Sequence, residues 1–256
     1  MDFTVVKYQE LLSALINQGF TFQTFNTFLF SQAPKSIVLR HDVDLMPQNS
    51  LNFAKIQAEK GVKGVYYFRA VPESWDEKII LKIADLGHEI GYHYECLTTT
   101  NGNFEKGIKD FETNLVAFRK LAPVNTICMH GSPMSKHDSK DLWKKYRYQD
   151  FGIIGEPYFD VDFNKVFYIT DTGRKWDGDN VSVRDKVNSG FNLSFHTTEQ
   201  IIKATQNGAM PKQIMFTFHP QRWNPFGYHW IKEFISQKTK NAVKKHFFVK
   251  PLQISR

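Results

Sequence analysis

The 256-residue chain has the composition of a soluble globular protein, with 41% hydrophobic and 23% charged residues. Its net charge of +7 favours anionic partners in general, but the basic residues are dispersed and no nucleic-acid-binding motif occurs. Two cysteines without a CxxC pair exclude a disulfide framework and a zinc ribbon. Because we find neither a signal-peptide pattern nor a membrane-spanning apolar run, we expect a cytoplasmic location.

Helical and strand-like segments alternate along the chain, without internal repeats or a linker. Helices are predicted over residues 7–18, 50–61, 76–87, 103–122, 197–208 and 226–242. Strands are predicted over residues 36–44, 64–71, 88–95, 126–131, 151–158, 166–171, 191–198 and 213–220. This alternation indicates βαβ units with a mainly parallel sheet, and the length fits one α/β barrel better than two domains.

Polar clusters end four of the predicted strands. These ends read RHDVD (40–44), HEIGYHYE (88–95), ICMHGSP (127–133) and MFTFHPQRW (215–223). In a parallel barrel the carboxyl ends of the strands converge on one face, where active sites form. We therefore expect the four clusters to meet in space.

The RHDVD segment separates into two faces, because residues two apart in a strand share a side. Arg40, Asp42 and Asp44 lie on one face. His41 lies on the opposite, apolar face with Leu39 and is expected to be a structural histidine. Two carboxylates about 7 Å apart suit a metal ligand beside a general base. An Arg–Asp ion pair that merely caps the strand is the alternative.

Histidines occupy comparable positions in the other polar strand ends. His93 and Glu95 share one face of the segment 88–95, whereas His130 ends the strand 126–131. His219 ends the strand 213–220, immediately before a proline that removes a ladder donor. A histidine titrates near physiological pH, so each of these side chains is a candidate ligand or proton carrier.

The segments RHDVD and GHEIGYH, followed by a late strand-terminal histidine, resemble the polysaccharide deacetylase superfamily (NodB-homology, carbohydrate esterase family 4-like), of which the chain looks like a divergent member. The resemblance covers about residues 36–223. It implies an α/β fold, a distorted (β/α)7 TIM-like barrel, as a single domain over 1–256. The helices 7–18 and 226–242 would be additions to this barrel.

The resemblance also implies a reaction, the removal of an acetyl group from an N-acetylated sugar with the help of a divalent metal. Carried over residue by residue, it makes Asp42 the base and His219 the general acid. Asp44 and His93 become metal ligands.

The usual metal site of that superfamily is incomplete in this sequence. The position of its second histidine holds Leu97, which cannot bind a metal. Glu95 or His130 could supply the missing ligand, and we take Glu95, with zinc as the expected metal. A weakly held metal with extra water, or no metal at all, remains the alternative.

Several further side chains are candidates for substrate binding because arginine and tryptophan often contact sugars. They are Arg40, His130, Arg174, Trp176, Arg222 and Trp223. In the segment DTGRKW (171–176), Asp171 could line a sugar site together with Arg174 and Trp176. For the tryptophans, packing in the core is an equally good interpretation. Cys96 and Cys128 are expected to be buried small hydrophobic residues.

Three functions follow from these residues. The leading one is a polysaccharide deacetylase-like hydrolase of C–N (amide) bonds, in which Asp42 activates water and His219 protonates the leaving amine. The second is a metal-independent amidohydrolase that acts on a non-sugar amide. The third is an inactive carbohydrate-binding relative, against which the presence of both Asp42 and His219 argues. The expected partner is a small-molecule or carbohydrate substrate, and no oligomeric state is predicted.

Overall fold

A parallel β-sheet organises the chain. The computed structural model describes residues 1–132, 134–176 and 187–247. Its strands are β1 (Thr21–Gln23), β2 (Ser36–Val43), β3 (Val65–Phe68), β4 (Glu89–Tyr94), β5 (Ile127–Met129), β6 (Phe167–Thr170) and β7 (Gln213–Phe218). They pair in the order β5-β4-β3-β2-β7-β6, with β1 beside β2. Every pairing is parallel, so the carboxyl ends of the strands share one edge.

Helices connect these strands. They are α1 (Val5–Asn17), α2 (Phe25–Phe30), α3 (Pro47–Glu59), α4 (Glu77–Asp85), α5 (Cys96–Thr99), α6 (Phe104–Arg119), α7 (Pro157–Asp160), α8 (Thr198–Gln206) and α9 (Tyr228–Phe247). Four of the longer ones follow a residue whose side chain accepts a hydrogen bond from the first turn, namely Thr4, Asp76, Asn103 and Thr197. Within the described ranges, no helix combines the length and the apolar character needed to cross a membrane.

The predicted α/β fold class is confirmed, with two corrections among the strands. Residues 191–198 form no strand, and within 151–158 only Gly155 makes an isolated bridge, to Thr126. At the end of the segment 151–158, helix α7 begins at Pro157, and Glu156 is its N-cap. The short elements β1 and α2 were not predicted. Across the residues that the structure covers, no ladder joins β5 to β6, so the sheet is open between these strands.

Alternation along β2 places its side chains in two environments. Leu39, His41 and Val43 are buried in the larger apolar cluster, which includes helix residues. Val38 belongs to a smaller cluster, which also contains Met215 of β7. Other members of the smaller cluster are Phe25, Phe28, Val65, Tyr67, Cys128, Phe163 and Val166. This smaller cluster lies on the inner face, beneath the polar residues at the carboxyl end of the sheet.

Candidate active site

The polar strand ends meet, as the sequence predicts. His93 Nε2 at the end of β4 lies 3.7 Å from Asp42 Oδ2 and 3.6 Å from Asp44 Oδ1. His130 Nε2, just after β5, lies 3.6 Å from Asp44 Oδ1. His219 Nε2, just after β7, lies 3.9 Å from Asp44 Oδ2. Asp44 is therefore the common neighbour of three histidines from three strands.

Asp42 is held by Arg40 from the same face of β2. Arg40 Nε donates to Asp42 Oδ1 at 2.8 Å and Arg40 Nη2 donates to Asp42 Oδ2 at 2.6 Å. Both residues are buried, and the guanidinium also lies 5.1 Å from the ring centre of Tyr158. Burial acts to raise the pKa of Asp42, but the charges of Arg40 and His93 outweigh it and hold that pKa below its ordinary value. Arg40 is thus engaged with Asp42, and its assignment to substrate binding stays a prediction.

Three side chains form a group that fits a divalent cation. Asp44, His93 and His130 each place one ligand atom within 4.8 Å of the others. Asp44 Oδ1 is buried and has no hydrogen-bond partner among the described residues. Tetrahedral zinc with bonds of about 2.0–2.1 Å would separate its ligands by roughly 3.4 Å, close to the 3.6 Å from Asp44 Oδ1 to each imidazole. Burial lowers the pKa of His93 to about 4, which keeps its ring neutral and able to bind a metal.

Glu95 does not belong to this group, which corrects its prediction as the third ligand. Its Oε1 accepts hydrogen bonds from Arg69, and its Oε2 lies 2.9 Å from His130 Nδ1. Burial acts to raise the pKa of Glu95, but His130 and Arg69 outweigh it and lower that pKa to about 2. The geometry favours the alternative in which His130 supplies the third metal ligand. From the sequence, His130 was assigned to substrate binding.

His219 is paired with Asp171, which follows β6. Its Nδ1 lies 2.6 Å from Asp171 Oδ1, while its Nε2 faces Asp44. Burial and the charge of Arg222 act to lower the pKa of His219, but Asp171 and Asp44 raise it overall above its ordinary value. The sequence named Asp171 only as a residue that could line a sugar site, and its pairing with His219 was not predicted. It too is a polar residue at the end of a predicted strand, 166–171, and this position was the signal that could have identified it.

The remaining predicted substrate-binding residues divide into two kinds. Arg222 bonds Asp171 through Nη1 at 2.9 Å and also lines a cavity beside Asp44. Trp223 is 1% exposed and Trp176 is 5% exposed, and the two rings pack against each other and against core aromatic residues. The Arg174 guanidinium lies 4.5 Å from the ring centre of Trp230. These two tryptophans and Arg174 contact other protein groups rather than a cleft, which corrects their assignment, and Trp223 also donates its indole N–H to Asp171 Oδ2 at 2.6 Å.

The prediction that His41 is a structural histidine is confirmed, and His88 is held in the same way. His41 Nδ1 lies 2.9 Å from the carbonyl oxygen of Val65, and its Nε2 lies 2.7 Å from Gln57 Nε2. His88 Nε2 lies 2.9 Å from the carbonyl oxygen of Ala54. Both rings are buried, so neither reaches the polar end of the barrel.

The two cysteines are buried, as expected. Cys128 on β5 also joins Asp42 and His93 in a second group of ligand atoms within 4.8 Å of one another. The bidentate bond of Arg40 to Asp42 places a positive charge at this second group, which opposes a cation there. Of the two groups, Asp44, His93 and His130 are therefore the better candidate for a cation site.

A cavity of about 670 Å³ opens beside Asp44. One side consists of residues that follow β2 and β7, including Leu45 and Gln221, and the other side consists of residues 233–243 of α9. Gln221 Nε2 donates to Asp44 Oδ2 at 3.1 Å. Gln221 Oε1 is buried and lacks a partner among the residues that the structure covers. The cavity gives a small organic ligand access to the polar residues.

Comparisons with known proteins return structural neighbours only; no family model and no curated protein matches. A CE4 family pseudoenzyme from Bacillus anthracis is 12% identical with a TM-score of 0.46, over 83% of this chain and 63% of that chain. The chain thus spans less than two thirds of that neighbour. A CE4 esterase from Streptococcus mutans is 13% identical with a TM-score of 0.46, over 88% and 87% of the two chains. A family 4 carbohydrate esterase from Bacillus anthracis is 12% identical with a TM-score of 0.42, over 92% and 87%.

Proposed function

We propose that the protein is a metal-dependent hydrolase that removes the acetyl group from an N-acetylated sugar or sugar intermediate. One observation carries the proposal: Asp42 and His219 flank the cation-binding group of Asp44, His93 and His130. Asp42 Oδ2 lies 3.7 Å from His93 Nε2 and His219 Nε2 lies 3.9 Å from Asp44 Oδ2, which supports a base and an acid beside the same cation site. Hydrolysis of an amide needs these three functions together.

Asp42 acts as the general base. Arg40 holds both of its oxygens, and each oxygen keeps a further lone pair for a water molecule. Because its pKa lies below the ordinary value, Asp42 is ionised at neutral pH. It takes a proton from the water as the water oxygen bonds to the amide carbon.

Asp44, His93 and His130 would hold the cation. A bound divalent cation lowers the pKa of a bound water and polarises the carbonyl oxygen of the substrate. Two imidazoles with one carboxylate form a ligand set common in catalytic zinc sites, which keep a position open for water or substrate.

His219 acts as the general acid. Its Nδ1 is engaged by Asp171 and its Nε2 faces the site. The raised pKa of His219 keeps a proton on the ring near neutral pH. The ring gives this proton to the amide nitrogen as the C–N bond breaks, so that the products are acetate and a free amine.

The second candidate is a metal-independent amidohydrolase of the same fold that acts on a non-sugar amide. The observation in its favour is Arg40, a buried cation next to the base whose Nη1 lacks a hydrogen-bond partner among the described side chains. A guanidinium can stabilise a developing oxyanion without a metal. A carbohydrate partner and a cytoplasmic location, by contrast, are predictions that accompany the N-acetyl-sugar hydrolase proposed first.

The test is a measurement of acetate release from a panel of N-acetylated sugars, with zinc added and with zinc removed by a chelator. We expect zinc-dependent release in the wild type. Asp42→Asn should lower kcat by roughly 10²-fold or more while circular dichroism shows an unchanged fold. Release that is equal with and without zinc would favour the second candidate, and wild-type turnover by Asp42→Asn would refute the role of Asp42.

A further inference from the structure

Glu95 forms hydrogen bonds through both of its oxygens at the ends of several strands. Arg69, just after β3, donates from Nε to Glu95 Oε1 at 2.8 Å and lies 2.7 Å from it through Nη2. The hydroxyl of Ser132 donates to Glu95 Oε2 at 3.1 Å. The same Oε2 also lies 2.9 Å from His130 Nδ1, so both oxygens of Glu95 are engaged by protein groups.

These contacts determine which ring nitrogen of His130 is available to bind a metal. A carboxylate accepts hydrogen bonds, so Nδ1 of the neighbouring ring carries the proton and Nε2 keeps its lone pair. That Nε2 lies 3.6 Å from Asp44 Oδ1. The ring is therefore held in the tautomer and the orientation that a metal ligand requires.

Arg69 links this arrangement to the first ligand as well. Its Nη1 donates to the backbone carbonyl oxygen of Asp44 at 3.1 Å. The same side chain thus fixes the end of β2, which carries Asp44, and the carboxylate behind His130. Glu95 is only 7% exposed, so water competes little for these hydrogen bonds.

We propose that Glu95 is a positioning residue that orients His130 as the third ligand of the cation, with Arg69 and Ser132 fixing the carboxylate. The inference rests on the cation site of the proposed function. Carboxylates that hold a metal-binding histidine from behind contribute about 10–100-fold to metal affinity.

The test is the zinc affinity of the purified 256-residue protein, measured by competition with a chromophoric chelator. We expect Glu95→Gln to bind zinc about 10–100-fold more weakly than the wild type. The matched control is Glu105→Gln, which removes an exposed carboxylate that pairs with Lys145 and should leave the affinity unchanged. Cobalt substitution gives a second readout, because a displaced imidazole changes the visible absorption of the bound cobalt.

A double-mutant cycle with His130→Ala separates positioning from a general loss of stability. If Glu95 acts through His130, Glu95→Gln should have no further effect on zinc affinity in the His130→Ala background. An equal loss in both backgrounds, wild-type affinity in Glu95→Gln, or no zinc binding by the wild type would each overturn the inference. Should Glu95→Gln fail to fold, Ser132→Ala gives the same test with a loss of about threefold.

The outcome is distinguishable from that of the proposed function. Zinc binding that depends on Glu95 in a protein without any deacetylase activity would refute the reaction and support the positioning role. Zinc-dependent acetate release with unchanged zinc affinity in Glu95→Gln would support the reaction and refute the positioning role.

Discussion

At the scale of single residues, each buried charge of the site is held by a partner of opposite charge. Asp171 is 0% exposed and accepts hydrogen bonds from Arg222, from the indole N–H of Trp223 and from the backbone N–H of His219. Its Oδ1 also lies 2.6 Å from His219 Nδ1. Because an unpaired buried charge is costly, these contacts fix both the position of the ring and its protonation.

We predict that Asp171→Asn moves the alkaline limb of the pH–rate profile to lower pH. The proposed reaction requires Asp42 ionised and His219 protonated, so the rate should fall as the pH rises through the raised pKa of His219, above its ordinary 6.5. Removing the negative charge of Asp171 lowers that pKa. The measurement is kcat/KM against pH, and Asp150→Asn, at the protein surface, serves as the control. An alkaline limb at the same pH in wild type and Asp171→Asn would contradict the assignment of the acid.

At the scale of secondary-structure elements, the absence of a side chain at one glycine determines how strands β3 and β4 pack. Strand β4 carries Gly91 opposite Tyr67 of β3. The ring of Tyr67 covers the space that a side chain at residue 91 would need, and its hydroxyl donates to Thr126. The bare backbone at Gly91 thus lets an aromatic ring fill the inner face just below the site.

Gly91→Ala should destabilise the protein, because a Cβ atom would lie 2.3 Å from two ring carbons of Tyr67. Overpacking of this kind costs about 1–3 kcal/mol, which a urea unfolding curve can measure. The control is Gly190→Ala, where the nearest contact is the flexible side chain of Asn164 at 3.3 Å. Equal stability of the two variants would show that β3 and β4 adjust more freely than this packing implies.

Glu156 joins β5 to helix α7. Its Oε1 accepts from the backbone N–H of Met129 at 3.0 Å, and its Oε2 accepts from that of Tyr158 at 2.6 Å. Burial raises the pKa of Glu156 to about 7, whereas the ordinary value is 4.5. The folded protein therefore holds this proton more tightly than the unfolded chain does.

This difference makes the contribution of Glu156 to stability depend on pH. Since the folded state binds more protons, the contribution is fully present below about pH 4.5 and is lost as the pH rises through about 7. The loss is on the order of 3 kcal/mol. Glu156→Gln should lack this component, so its free energy of unfolding should fall less between pH 5 and pH 8 than that of the wild type. Parallel pH dependences of the two proteins would refute the prediction.

At the scale of the whole molecule, the candidate site connects distant parts of the chain. The candidate cation-binding group uses residues at the ends of β2, β4 and β5, and His219 follows β7. The cavity beside Asp44 adds helix α9, which lies far along the chain. A ligand bound here would contact several elements at once, so binding and global stability should be coupled.

Zinc should therefore raise the Tm of the protein. At a zinc concentration of 100 times Kd the stabilisation is about 2.7 kcal/mol, and a chelator should reverse it. Asp44→Asn, which removes the central ligand, should respond much less in the same thermal scans. An equal zinc-induced shift in wild type and Asp44→Asn would place the bound zinc at another site.

The sequence by itself determined the fold class, the faces of the strands and the edge at which the polar residues gather. The period of two along β2 separated Asp42 and Asp44 from His41, because alternate side chains of a strand point to opposite faces. The parallel arrangement then brought His93 and His219 to the same edge. These features depend on local periodicity and chain direction, which a single sequence contains.

The tertiary structure alone decided which partner each side chain takes. Glu95 contacts His130, 35 residues away, instead of joining the cation-binding group, and Trp176 and Trp223 pack into the core rather than into a cleft. No local sequence pattern predicted that β5 and β6 would remain unpaired among the described residues. Pairings of this kind depend on the register between strands that are distant in sequence and on how much space their neighbours leave, and neither quantity is encoded in a local pattern.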